Sequence, residues 1–103
     1  MPSTGLAHFK VRPAIVVSKD ANNRRLADVI VAPCTSNLAR HAEPTQHLID
    51  GPEIAAAGIR VPSVVKCESL LTMPKTLIVQ SLGRLSDAGM KAVDNCLRDA
   101  LNL

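Results

Sequence analysis

Apolar and polar positions fall in short blocks along most of this chain and read as strands, until the last quarter, where the spacing lengthens to that of a helix. Pro13 to Ser18 is a compact β-branched run, and Asp28 to Cys34 is a second. Asp20-Ala21-Asn22-Asn23 with Arg24-Arg25 reads as a polar turn between them, which makes the two runs antiparallel neighbours. Asn37 to Glu43 is polar and basic and stops at Pro44, the pattern of an exposed loop leading to a shorter strand over Thr45 to Ile49. Gly51-Pro52 starts a turn, Glu53 to Ala57 forms a helical turn, and Gly58 to Pro62 leads into a strand over Ser63 to Ser69. A period of two there puts Val65 and Cys67 on one face and projects Lys66 and Glu68 together from the other. Met73-Pro74-Lys75 reads as a break, Leu77 to Leu82 as a last strand or edge, and Gly83-Arg84 as a turn. In the final segment Ser86 is the N-cap and Asp87 suits the positive helix end. Met90, Val93, Leu97 and Leu101 recur behind them at helical spacing.

Five or so short strands, one terminal helix and no βαβ alternation describe a small, mainly antiparallel barrel or curled sheet. The 103 residues form one domain, with 47% hydrophobic content ample for a core without disulfide staples. No apolar run approaches membrane-span length, and Met1-Pro2-Ser3-Thr4-Gly5 does not lead into a signal sequence, so the expected location is the cytoplasm. Thr4 to Phe9 reads as a loop without a strand before it, which raises the expectation of a missing first strand.

Composition narrows the chemistry. A formal charge of +3 and a pI near 9.0 suit a polyanionic partner as well as an ordinary soluble protein. With Phe9 as the one aromatic residue, any RNA contact must come from Arg, Lys and backbone groups rather than from stacking platforms. Cys34, Cys67 and Cys96 lie far apart, and neither they nor His8, His41 and His47 have metal-ligand spacing. The cysteines read as reduced, buried small hydrophobes, and no metal or cofactor is expected.

Arg12 stands where the first strand begins, and Thr35-Ser36 where the second ends, so the two could meet at one rim of the sheet. Metal-free RNA cleavage needs a base for the 2′-hydroxyl proton, an acid for the leaving oxygen and cations for the phosphorane. Arg12, Thr35, Lys66 and Glu68 include every type required: a planar fork, a hydroxyl, an ammonium and a carboxylate. Each also has an ordinary structural reading. Arg12 could pair with Asp20 or Asp28, Thr35 and Ser36 could serve a turn, and Lys66 with Glu68 could form a surface ion pair of little weight. His8 could be a plain loop residue.

Four blocks in register go further. Arg12-Pro13-Ala14-Ile15-Val16-Val17, Ile30-Val31-Ala32-Pro33-Cys34-Thr35-Ser36, Gly58-Ile59-Arg60 and Ser63-Val64-Val65-Lys66-Cys67-Glu68 resemble the MazF/PemK (Kid-type) toxins in order and spacing. Leu82-Gly83-Arg84-Leu85-Ser86 before the helix is similar to that family too. The resemblance implies a small SH3-like barrel with a C-terminal helix. It also implies a homodimeric endoribonuclease that cuts single-stranded RNA without metal, leaving a cyclic phosphate and a 5′-hydroxyl, and a cognate antitoxin that occupies the RNA groove. By position, Arg12 and Thr35 match the family's catalytic arginine and threonine. Lys66 and Glu68 fall where Kid-type members carry an arginine and an aspartate in acid and base roles. His8, Lys10, Ser36, Asn37, Arg60 and Ser63 are the expected substrate contacts.

The chain departs from the pattern in three ways. Lys66 keeps the charge but loses the bidentate fork, and Glu68 reaches one methylene further than aspartate. Family members usually begin with a strand ahead of the loop that here holds Gly5 and His8, and that loop lacks their Glu-Gln pair. A truncated, non-cutting family member therefore remains an alternative. So does a CcdB-type gyrase poison, although Asp99-Ala100-Leu101-Asn102-Leu103 lacks the tryptophan-containing tail of that type.

Overall fold

The computed structural model describes residues 11–103; Gly5, His8 and Lys10, and the expectation of a missing first strand, lie outside the described residues. The elements run β1 (Ala14–Val16), α1 (Asp20–Arg25), β2 (Asp28–Thr35), β3 (Gln46–Ile49), α2 (Pro52–Ala57), β4 (Ser63–Lys66), β5 (Leu71–Pro74) and α3 (Asp87–Leu101). All strand pairs are antiparallel, in the order β1-β2-β4-β3 with β5 also on β2.

β2 is the spine of this curled sheet, and Pro33 explains where it changes neighbours. Ile30 O accepts the Val17 N–H and Cys34 N–H donates to Pro13 O, so even-numbered residues of β2 bond toward β1 and odd-numbered ones toward the other side. On that other side β5 pairs as far as Val31 and β4 starts at Cys34. The missing N–H of Pro33 falls in the gap, where the partner chain leaves the ladder through a 3-10 turn at Cys67–Ser69.

That turn corrects the expected strand over Ser63 to Ser69: the ladder ends at Lys66, and Lys66 and Glu68 do not share a strand face. Strict apolar–polar alternation fails there as well: Val64 and Val65, which point to opposite faces of β4, are both fully buried. The last strand is Leu71–Pro74, not Leu77 to Leu82; Pro74 is tolerated as the final residue of β5 and pairs with Asp28. Leu77, Ile78, Val79 and Leu82 belong to no ladder and are exposed. Asp20–Arg25 is a short helix rather than a turn. Asn23 Nδ2 donates to Ser18 O at 2.9 Å and the Ser18 hydroxyl donates to Asn23 Oδ1, so the polar residues close on their own chain.

α3 lies on β3 and the 3-10 turn, with Val93 fully buried among Ala32, Cys34, Ile49, Val65 and Cys67. Met90, Cys96, Leu97 and Ala100 pack around that cluster. Leu101, expected on the same stripe, is 53% exposed and lies outside that cluster.

Two of the sequence blocks meet at the α2–α3 junction. Gly58 has φ +73°, and a Cβ there would run into the Leu82 carbonyl; a Cβ on Gly83 would run into that of Ala56, which accepts the Arg84 N–H at 2.9 Å. α3 then begins with a divided capping box. Ser86 Oγ accepts the Gly89 N–H at 3.0 Å, as an N-cap should. The reciprocal carboxylate would ordinarily sit at the Gly89 position, but Glu53 of α2 supplies it, accepting the Ser86 N–H at 3.1 Å through the space left by Gly89.

Candidate active site

The β1–β2 register brings the first two candidates together. Ala14 pairs with Pro33 and the Cys34 N–H donates to Pro13 O at 3.0 Å, so the next position in the ladder sets Arg12 opposite Thr35. Both border a cleft of about 420 Å³, along with Ser36, Arg60 and Ser63 and with apolar walls from Val11, Val61 and Leu82. Five expected site residues therefore share one surface. Among the described residues no carboxylate lies within ion-pair distance of Arg12, so neither Asp20 nor Asp28 takes its charge.

Thr35 also borders a second, smaller cleft of about 140 Å³ with Asn37, Ala39, Arg40, Gln46 and Lys66. Thr35 pairs with Val64 and Lys66 pairs with Gln46; two residues along β4 from Val64, Lys66 returns to the same face as Thr35. Thr35 Oγ1 accepts the Asn37 N–H at 3.1 Å, and Asn37 Oδ1 in turn accepts the Ala39 N–H at 3.1 Å. This turn occupies one lone pair of the threonine and leaves its O–H free to donate. Ser63 differs: it is buried, and its hydroxyl proton already goes to Val61 O at 3.1 Å.

Glu68 lines neither cleft. It stands beside the second, where its Oε2 accepts from Gln46 Nε2 at 2.8 Å and lies 3.7 Å from Arg40 Nη2. Burial raises its carboxyl, but hydrogen bonds from Gln46, its own backbone and Thr45, with the Arg40 charge, prevail and hold it below the usual value. Glu68 is therefore ionised at neutral pH. Because that carboxylate can only accept, the Gln46 amide must turn its NH₂ toward it; Gln46 Oε1 is then a buried acceptor with no partner among the described residues. The ordinary structural alternative, a Lys66–Glu68 ion pair, does not form: Glu68 pairs with Arg40, and no carboxylate lies within ion-pair distance of Lys66 among the described residues.

Arg40 and Gln46 were not among the residues singled out from sequence. Arg40 had a local signal, its i,i+3 spacing to Glu43, with which it forms hydrogen bonds of 2.6 and 2.7 Å. Gln46 had none, since its place beside Lys66 depends on the β3–β4 register. The thiols stand apart from this chemistry: burial pushes Cys34 up to about 11 and Cys67, also facing nearby Cys96 and Glu68, up to about 12. Among the described residues no group of three or more His, Cys, Asp or Glu is placed to hold a metal ion. No helix there is long and apolar enough to cross a membrane.

A family model described as the PemK-like, MazF-like toxin of type II toxin–antitoxin systems matches residues 2–101. The chain is 35% identical over 105 residues to the endoribonuclease MazF6 of Mycobacterium tuberculosis, covering 99% of this chain and 88% of that one. Its fold is similar to the solved Mycobacterium tuberculosis toxin MazF-mt6, with a TM-score of 0.78 and 26% identity over 89% of this chain and 87% of that one. It is equally similar to a mycobacterial endoribonuclease solved with its cognate antitoxin, with a TM-score of 0.78 and 25% identity over 92% and 84% of the two chains. In sequence and in fold, this chain belongs to the PemK-like, MazF-like toxins of type II toxin–antitoxin systems.

Proposed function

We propose that this toxin is an endoribonuclease that cuts single-stranded RNA in the cytoplasm by attack of the 2′-hydroxyl on its neighbouring phosphate, without metal. The observation that carries the reading is Arg12 and Thr35 on the wall of one cleft beyond the end of the β1–β2 ladder, together with a second arginine, Arg60. The relatives named as endoribonucleases support the same activity.

Arg12 grips the scissile phosphate and offsets the charge gathering on its oxygens in the phosphorane, and the free Thr35 O–H donates to one of those oxygens. Glu68, already ionised, takes the 2′-hydroxyl proton as the 2′-oxygen bonds to phosphorus. Lys66 supplies the proton that leaves with the 5′-oxygen, so the products are a 2′,3′-cyclic phosphate and a 5′-hydroxyl. Arg60, Ser36 and Asn37 extend the contact surface along the strand. The working unit is a homodimer, and a cognate antitoxin silences it by laying a segment over the same cationic rim; the solved antitoxin complex of a relative supports such a partner.

The test is incubation of the purified chain with mixed-sequence single-stranded RNA in EDTA, beside Arg12→Ala, with the cut ends mapped. Discrete cuts ending in cyclic phosphate, reduced at least about 10²-fold in Arg12→Ala, are expected. Cutting that requires a divalent ion overturns the mechanism. An intact RNA pool overturns the activity and leaves a non-cutting family member.

A further inference from the structure

The nuclease reading uses Arg12 and Thr35 in the larger cleft, and Lys66 with neighbouring Glu68 at the smaller one. Arg40, on the wall of the smaller cleft, contacts no substrate in it. We propose that this smaller cleft is a second phosphate subsite of the RNA groove, in which Arg40 is a substrate-binding residue held by Glu43 until an RNA phosphodiester displaces it. The proposal rests on the nuclease reading and extends it by one nucleotide contact.

Three features of the cleft point to an anion. Lys66 from the end of β4 and Arg40 from the loop after β2 both line it, and no carboxylate lies within ion-pair distance of Lys66 among the described residues. Arg40 presents Nε and Nη2 to the two Glu43 oxygens at 2.6 and 2.7 Å, the side-on fork with which a guanidinium also grips two phosphate oxygens. Thr35 is common to both clefts, so an anion seated here adjoins the one held between Arg12 and Thr35.

The holding pair is built to exchange. Glu43 sits three residues from Arg40 on the same loop, and the two side chains are 43% and 56% exposed, a setting in which an ion pair has little net weight. Glu68 does not compete closely: Gln46 Nε2 binds its Oε2 at 2.8 Å and keeps it 3.7 Å from Arg40. A phosphodiester that replaces Glu43 keeps the guanidinium paired and returns an exposed carboxylate to water, so no buried charge is left behind.

Binding of a fluorescein-labelled, mixed-sequence RNA made of 2′-O-methyl nucleotides, which cannot cyclise, tests this across a salt series. Arg40→Ala should bind about tenfold more weakly, and its slope of log affinity against log salt should be shallower by about 0.7, the loss of one phosphate contact on a single strand. Arg40→Lys should restore the slope, and Glu43→Gln should bind several-fold more tightly because a competing acceptor has lost its charge. A merely structural Arg40–Glu43 staple gives no gain in Glu43→Gln. Wild-type binding with an unchanged slope in Arg40→Ala, or weaker binding by Glu43→Gln, overturns the subsite alone. Failure of the wild-type protein to bind the RNA overturns the nuclease reading and the subsite with it.

Discussion

The α2–α3 junction and the rim at the end of β2 share the Gly58-Ile59-Arg60 block and put its two ends to different uses. At the junction the informative residues are glycines, because Gly58 and Gly83 let two backbones cross where no Cβ fits and Gly89 admits Glu53 to the start of α3. At the rim they are long polar side chains, Arg12, Arg40 and Lys66, on surface that two clefts keep open. A motif block in this fold thus mixes residues that let the backbone close up with residues that line the cleft: Gly58 is of the first kind, and Arg60, two positions on, of the second.

That contrast predicts where stability and activity separate. Gly58→Ala places a side chain at φ +73° against the Leu82 carbonyl, and should lower unfolding free energy by about 2–4 kcal/mol in urea denaturation. A loss under about 0.5 kcal/mol would show that the crossing relaxes freely. Thr35→Val should do the reverse. Loss of the hydroxyl is expected to slow RNA cleavage by at least about tenfold, while stability falls by no more than about 1 kcal/mol for the unpaired Asn37 N–H. Equal losses in both would make Thr35 a turn residue and nothing more.

The smallest effect belongs to the divided capping box. Hydrogen bonds from the Ser86 hydroxyl and backbone hold the Glu53 carboxyl below the ordinary value of 4.5, with His47 adding to them against the opposing effect of burial. A lowered folded value means that this stabilisation is fully present above pH 4.5 and is lost as pH falls through the folded value. Thermal melts from pH 7 down to 3 should therefore show a shallower decline for Glu53→Gln than for the wild-type chain. In Gly89→Ala the new Cβ meets only the flexible end of Glu53, and the roughly 1 kcal/mol gained in helix propensity offsets the lost contact. Its neutral-pH stability should change by under about 0.5 kcal/mol, with the same flattening of the acid limb. A steep limb in both variants would assign the acid sensitivity to Glu43 and Glu68.

Much of the fold was legible in short-range pattern. The β-branched runs gave β1 and β2, Ser86 gave the start of α3, and the Arg12 and Thr35 positions pointed to one rim before any register was known. Misreadings clustered where an element's neighbours decide its shape. Met73-Pro74 looked like a break because proline ends most strands, yet an edge position removes that objection. Lys66 and Glu68 looked like one face because alternation was extended past the point where β4 leaves its ladder. Leu77 to Leu82 looked like a strand from its apolar residues alone, and no neighbouring strand among the described residues pairs with it.

The sequence by itself determined what is local: the strand-forming runs, the helix cap, the residue types required for metal-free phosphoryl transfer and the ordered blocks that mark the family. Tertiary structure alone decided which of those residues meet. Register is a property of two strands at once, so the meeting of Arg12 and Thr35 on one cleft wall, the position of Gln46 beside Lys66 and the turn that sends Glu68 to Gln46 and Arg40 follow only from the assembled sheet. The same holds for Glu53 completing the cap of α3 from 33 residues away, because a hydrogen bond needs atoms within about 3 Å and the chain reaches that distance only by folding.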